Sequence, residues 1–143
     1  MKWITRKKVK VDRVACPWLI KKFVDPQAEF IFVPASQVEA QAKELGAFPY
    51  DIEDCELGHH DEDVSFDSIL KKYKLTDPAL LLLAHIVRAA DSHPSNPHPA
   101  GEGLRWVAFG FNALGLGDHK ILERECIVYD ALYAECQRRV QIK

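Results

Sequence analysis

A chain of 143 residues, 48% hydrophobic and 28% charged, has the length and composition of one folded domain, which excludes a disordered or fibrous protein. The formal net charge of −2 gives no overall electrostatic footprint for nucleic acid, although RKKVKVDR at residues 6–13 is locally basic. The longest apolar run, ALLLLA at 79–84, is too short to span a bilayer, and the opening MKWITRKK lacks the apolar region of a signal peptide. With four cysteines and no CxxC pair, we expect a cytoplasmic protein with reduced thiols.

The first half of the sequence predicts short strands that alternate with helices. KWIT at 2–5 is typical of a short strand, and Asp12 is a suitable N-cap for a helix through RVACPWLIKKFV. EFIFVP, with its run of aromatic and aliphatic residues, predicts a strand that is buried on both faces. Ser36 then caps the helix QVEAQAKEL, Gly46 closes that helix, and AFPYDI is typical of another short strand.

After the polar stretch CELGHHDED at 55–63, the second half of the sequence predicts helices alone. Ser65 caps FDSILKKYK, and the DP pair at 77–78 starts ALLLLAHIVRAAD, which is apolar nearly all round and is therefore expected to be central and buried. An irregular loop at 92–103 precedes the helix LRWVAFGFNALGL, and Asp118 caps a long last helix. The sequence thus predicts a single domain over residues 1–143 with a predominantly helical α+β fold: a small β element in the N-terminal half and a helical C-terminal half.

The last helix offers a pair of side chains that could bind one metal ion. His119 and Glu123 are four residues apart, so they lie on the same face of a helix, one turn from each other. Asp130 follows seven residues later on the same stripe. The alternative interpretation is an exposed His–Glu pair that binds nothing.

Two further segments carry polar groups suited to the same ion. Asp91 ends the apolar helix just before a loop, which is a suitable place for a metal ligand. The alternative is that Asp91 forms an ion pair with Arg88, three residues earlier. CELGHHDED supplies His59 or His60, unless it is only a polar loop. Imidazole and carboxylate together suit zinc, iron or manganese as the cofactor. The predicted metal ligands are His59, Asp91, His119 and Glu123, with Asp12, His60, Arg88 and Asp130 as supporting residues.

The segment VDRVACPWLIKKF is a second candidate site. Cys16 near a helix N-terminus beside Arg13 is expected to have a lowered thiol pKa, unless it is simply a small buried residue next to a tryptophan. Arginine guanidinium groups and lysine ammonium groups in this region could bind a small oxyanion. The predicted anion-binding residues are Arg6, Arg13, Cys16 and Lys21.

Several segments resemble one known family. KWITR, VDRVACPWLIKKFVDPQAEFIFVP, CELGHH, SFD, IVRAAD and DHKILERECIVYDALY occur in an order similar to the C-terminal domain of ChrB-type chromate-resistance proteins. The resemblance implies a role in bacterial chromate resistance, near a chromate efflux transporter, as part of a chromate-responsive regulator. The chain departs from the family pattern at Val64, where the family has a cysteine. The residues that match the family motifs are Asp12, Arg13, Cys16, His59, Asp91, His119 and Glu123.

These observations leave four functional interpretations. The first is a sensor or stress-response domain that binds a transition metal, a chromate oxyanion, or both. The second is a metal-dependent hydrolase or redox enzyme on the same residues. A DNA-binding regulator that uses RKKVKVDR is the third, and we rank it last because of the net negative charge. In the fourth, the domain acts by protein–protein contact. A metal ion or small oxyanion is the expected partner, no membrane is expected, and a homodimer is left open.

Overall fold

The computed structural model describes residues 1–92 and 94–141. Its strands are β1 (Lys2–Arg6), β2 (Glu29–Val33) and β3 (Phe48–Pro49). Its helices are α1 (Asp12–Phe23), α2 (Val38–Leu45), α3 (Ser65–Lys72), α4 (Pro78–Asp91), α5 (Ala100–Ala113) and α6 (Asp118–Gln141), and a short 3₁₀ turn (Ala35–Gln37) precedes α2. The predicted α+β class, with a small sheet first and helices afterwards, is confirmed.

The three strands form a parallel sheet with β1 in the centre, in the order β2-β1-β3. Side chains of neighbouring strand residues point to opposite faces, so Trp3 packs in the main core while Ile4 packs against the small α2 side. The prediction that EFIFVP is buried on both faces is wrong. β2 is an edge strand that pairs with β1 alone, and its three central residues are only half-buried.

α4 is the central helix of the C-terminal half, as its apolar sequence predicts, and it packs against α1, α3, α5 and α6. Asp77 caps α4 through a hydrogen bond that its Oδ1 accepts from the Ala79 N–H at 2.9 Å. α5 begins at Ala100, earlier than predicted, because Gly101 belongs to the helix rather than to a loop. A Cβ on Gly101 would lie 2.5 Å from the Ala89 Cβ, so glycine permits the close approach of α5 to α4.

All four residues predicted as N-caps have another role, and Asp12 and Ser65 are the first residues of α1 and α3 rather than their caps. Ser36 lies in the 3₁₀ turn, and α2 begins at Val38 without a side-chain cap. Asp118 is the first residue of α6, and its carboxylate accepts hydrogen bonds from the backbone N–H groups of Lys8 and Val9 at 2.9–3.2 Å. This aspartate therefore fixes the basic segment after β1 to the start of α6. Among the described residues, no helix is both long and apolar enough to cross a membrane.

Candidate metal centre

Four side chains from different segments converge at the carboxyl ends of β1 and β3. The His59 Nε2 atom lies 3.2 Å from Asp51 Oδ1, 3.2 Å from Asp91 Oδ2 and 3.4 Å from Asp12 Oδ2. Asp12 opens α1, Asp91 ends α4, and the other two residues belong to the chain between β3 and α3. The carboxyl ends of parallel strands are a usual place for binding sites, because the chain leaves the sheet there in loops.

Asp12 is held in place by the N-terminus of α3. Its side chain is buried, with Oδ2 accepting from the Ser65 N–H at 2.7 Å and Oδ1 from the Phe66 N–H at 3.2 Å. These N–H groups belong to the first turn of a helix, where they have no partner within the helix and where the helix dipole favours a negative charge. Asp12 was predicted to cap its own helix. Its carboxylate instead caps α3 across the site.

Asp51 is positioned by the same turn of α3 and by its own backbone. Its Oδ1 accepts a hydrogen bond from the Ser65 hydroxyl at 2.8 Å, and its Oδ2 lies 3.6 Å from Arg13 Nη1. The residue adopts a left-handed conformation with φ of 50°, which is uncommon outside glycine. Ser65 therefore supports two of the three carboxylates, through its backbone for one and its side chain for the other.

Gly58 permits the tight turn that places His59 next to the carboxylates. A Cβ on Gly58 would lie 2.7 Å from the Ile52 carbonyl oxygen, so the turn between β3 and His59 closes only with glycine at this position. His59 follows directly, and its side chain remains 45% exposed. The site is thus closed on the Asp12 side and open to solvent on the His59 side.

The electrostatics of the cluster favour a cation. Hydrogen bonding to Asp12, Asp51 and Asp91 raises the pKa of His59 to about 12. Burial raises the pKa of Asp12 to about 7, because a buried charge is costly, and the opposing effect of the neighbouring His59 is smaller. A single Nε2–H cannot satisfy three carboxylates at once. The cluster therefore holds more negative charge than His59 and Arg13 neutralise.

The distances within the cluster fit a metal ion. Nitrogen and oxygen ligands at about 2.0–2.2 Å from a cation lie about 3.0–3.5 Å from one another in tetrahedral or octahedral geometry. The separations of 3.2–3.4 Å from His59 Nε2 fall in this range. One ligand atom each from Asp12, His59 and Asp91 lie within 4.8 Å of one another, so these three residues could hold one ion.

His119 and Glu123, which were predicted to complete the metal site, lie in a different place. Both line a groove of about 700 Å³ between α1, the start of β2 and α6. The His119 ring packs edge-on against Phe32, with 5.0 Å between ring centroids. The helical spacing places the two residues together, but the structure does not bring them to His59 and Asp91. Lys21 and Asp130 line the same groove.

The predicted anion-binding residues are also divided. Arg13 lies at the carboxylate cluster beside Asp51, whereas Lys21 belongs to the groove. Arg6 ends β1 and is exposed. The prediction of a lowered thiol pKa for Cys16 is wrong. The thiol is fully buried and donates to Asp12 Oδ1 at 3.4 Å, and burial raises its pKa well above the ordinary value.

The remaining supporting residues have local partners. Arg88 pairs with Asp67 at 2.5 Å rather than with Asp91, so the suggested Arg88–Asp91 pair does not form. His60 points away from the cluster and makes a 3.0 Å hydrogen bond with a backbone carbonyl of the same loop. Asp130 accepts hydrogen bonds from the Trp18 indole and the Lys22 ammonium group.

Sequence reasoning missed Asp51 and Glu125. Asp51 follows the third strand, and its position after the carboxyl end of a parallel strand was the available signal. Glu125 is buried in α6, two residues after the predicted ligand Glu123, and neither of its oxygens has a hydrogen-bond partner among the described residues. Its neighbours Ile121 and Tyr129, one turn away on either side, are buried as well, which was the helical signal for a buried face.

Comparisons with known proteins identify the family. Residues 3–136 match the family described as ChrB, C-terminal domain. The chain is 30% identical over 132 residues, or 92% of its length, to a protein from Cupriavidus metallidurans described as Protein ChrB. The match covers 39% of that relative, so the chain spans about two fifths of the relative's length. No solved structure matches the chain. The chain therefore belongs to the family of the ChrB C-terminal domain.

Proposed function

We propose that this domain binds a divalent transition-metal ion through Asp12, His59 and Asp91, with Asp51 beside His59 as a supporting carboxylate, and that it acts as a sensor or stress-response domain in chromate resistance. The observation that carries the proposal is the convergence of three carboxylates on one imidazole nitrogen at 3.2–3.4 Å. The membership in the ChrB C-terminal domain family supports the biological context. The metal-binding role rests on the site itself.

The charge of the site supports a dication. Three carboxylates and Arg13 carry a net double negative charge when His59 is neutral, and one divalent ion balances it. Metal binding requires a neutral imidazole, so a bound ion would replace the proton that now links His59 to the carboxylates. Two carboxylate ligands and one imidazole ligand suit manganese, iron or zinc, whereas a structural zinc site is typically rich in thiolates.

An oxyanion would reach the metal from the open side. The His59 side of the cluster is exposed, and Arg13 stands next to Asp51. Chromate is the oxyanion that the family context favours. In this arrangement the metal supplies most of the attraction for the anion, because the carboxylates alone would repel it.

Metal analysis of two pairs of variants tests the proposal. Protein purified without a metal-affinity tag is loaded with Mn²⁺, Fe²⁺ or Zn²⁺, dialysed and measured for bound metal. We expect near-stoichiometric metal in the wild type and its loss in Asp91→Asn and His59→Ala. The matched controls, His119→Ala and Glu123→Gln, should retain the metal, because they lie in the groove. Retention in the first pair and loss in the second would place the ion in the groove and refute the proposal.

A second candidate function is a metal-dependent enzyme on the same residues. The observation in its favour is the exposure of His59, which leaves room for a water molecule or substrate on the ion. Water-proton relaxation of the Mn²⁺-loaded protein distinguishes the two functions. Fast-exchanging bound water that chromate displaces without a chemical change supports a sensor, whereas turnover of chromate or of a hydrolysable ester supports an enzyme.

A further inference from the structure

The outward face of α5 is unusually apolar. Trp106 is 74% exposed, and Phe109 and Leu114 are 43% and 66% exposed. The opposite face of the same helix packs against α4 through buried residues such as Leu104. A helix that is apolar on both faces is normally covered on both. The exposed face of α5 therefore has the character of an interface.

Two glycines on this face indicate what covers it. Gly103 and Gly110 lie seven residues apart, which places them on one line along the helix. A Cβ built on either glycine meets no described atom within 4 Å, so packing within the described part of the chain does not require glycine there. Glycine in a helix interior lowers stability relative to alanine. The close approach of a second helix would account for both glycines.

The charges on this face are arranged for a second copy of the same chain. Glu102 lies toward the N-terminal end of the face, next to Trp106, whose indole N–H donates to it at 3.1 Å. Toward the other end, Lys10 stands over the Phe109 ring at 4.8 Å from its centroid. An antiparallel partner helix related by a two-fold axis near Trp106 would bring each Glu102 to Lys10 of the other copy.

The sizes of the side chains agree with this arrangement. With the two-fold axis near Trp106, Phe109 of one copy faces Gly103 of the other, so a large ring meets a residue without a side chain. A shallow cavity on this face is lined by Glu102, Arg105, Trp106, Phe109, Gly110 and Ala113 and can receive the opposing indole. Large exposed aromatic side chains bury roughly 150–250 Å² each, so this patch supplies a substantial part of the ~800 Å² per partner of a stable interface.

We propose that two copies of the domain pair through α5 in an antiparallel arrangement, with Trp106 at the centre of the interface. The face is made of different residues from the carboxylate cluster, so the proposal does not depend on metal binding. Another protein or a lipid surface would be attracted to the same apolar patch. Those occupants would not need Glu102 and Lys10 at opposite ends of the face.

Sedimentation equilibrium of the wild type over a wide concentration range tests the proposal directly. We expect a monomer–dimer equilibrium in which Trp106→Glu raises the Kd by roughly 30-fold or more, as for a central interface residue. Leu81→Glu is the matched control, because Leu81 is 51% exposed on α4, and it should leave the Kd unchanged. A wild type that stays monomeric at the highest concentration overturns the proposal, as does a dimer that Trp106→Glu leaves intact.

Two further variants test the geometry. Gly110→Ala should raise the thermal midpoint of the dilute monomer and at the same time weaken the dimer, because alanine favours the helix but separates two packed backbones. Glu102→Lys should weaken the dimer, and adding Lys10→Glu in the same chain should restore part of the affinity. A Gly110→Ala dimer as tight as that of the wild type, or a double variant weaker than Glu102→Lys, would refute the antiparallel pairing.

Discussion

Replacing Glu125 by glutamine should stabilise the protein at pH 8 and have a much smaller effect at pH 5. Glu125 is completely buried in α6, and neither of its carboxylate oxygens has a partner among the described residues. Burial raises its pKa from 4.5 to about 7, since a buried charge is costly, and the nearby Tyr129 hydroxyl offsets only part of this rise. The folded state therefore holds a proton that the unfolded state has already lost at intermediate pH.

The sign and size of the change in unfolding free energy follow from the pKa values of Glu125 in the unfolded and folded states. For an acid whose pKa is raised on folding, stability is greatest below the unfolded pKa, falls as the pH rises towards the folded pKa, and is constant above it. A rise from 4.5 to about 7 corresponds to a loss of about 3 kcal/mol between pH 4 and pH 8. Glutamine keeps the shape without the charge, so Glu125→Gln should recover most of this loss at pH 8.

Urea unfolding of the wild type and Glu125→Gln at pH 5 and pH 8 measures the effect. The difference between the two proteins is the relevant quantity, because Asp12 also titrates in this range and contributes equally to both. Glu123→Gln is the matched control on the exposed side of the same helix and should change little at either pH. A difference between wild type and Glu125→Gln that is the same at both pH values would show that Glu125 has no raised pKa and would refute the reasoning.

Three further predictions, one for a chemical modification and two for substitutions, follow from contacts in the core. Cys16 should stay unlabelled by iodoacetamide in the native protein at pH 8 and react only in urea, because its thiol is buried and its pKa is raised. Mass spectrometry measures the labelling, and a labelled Cys16 in the folded protein would contradict the prediction. Gly101→Ala should destabilise by about 1–3 kcal/mol in thermal unfolding, because the added Cβ would lie 2.5 Å from that of Ala89; an unchanged midpoint would show that α4 and α5 separate easily. Arg88→Met should cost about 3 kcal/mol in urea unfolding by leaving the buried Asp67 unpaired, and Asp67→Asn in the same chain should recover part of it.

The sequence was sufficient for the secondary structure wherever local physics decides it. The Asp–Pro pair at 77–78 predicts a helix start, and α4 begins there at Pro78, with Asp77 as its cap. The secondary-structure prediction failed where contacts with distant parts of the chain decide the local structure. Apolar residues in β2 do not reveal that the strand lies at the edge of the sheet. Gly101 was assigned to a loop because only the contact with α4 explains a glycine within that helix.

The candidate site shows the same division between local and distant effects. His59 and Asp91 are predictable as site residues because one lies in a polar loop and the other ends an apolar helix, and the structure brings them together. Asp12 was read as a cap of its own helix, since the sequence cannot show that the N-terminus of α3 comes to meet it. His119 and Glu123 have the right spacing for a shared ion, but spacing on one helix says nothing about which other segments that face will meet.

The N-terminus of α3 explains how three carboxylates can gather before any cation arrives. The Ser65 and Phe66 N–H groups and the helix dipole offset part of the negative charge of Asp12, and the Ser65 hydroxyl does the same for Asp51. The protonated His59 offsets a further part, as its raised pKa indicates. The first two supports would remain in the proposed metal complex, so the fold holds these carboxylates in position independently of an ion. The proton on His59, and the one that Asp12 holds below its raised pKa of about 7, would have to leave for the proposed ion to bind.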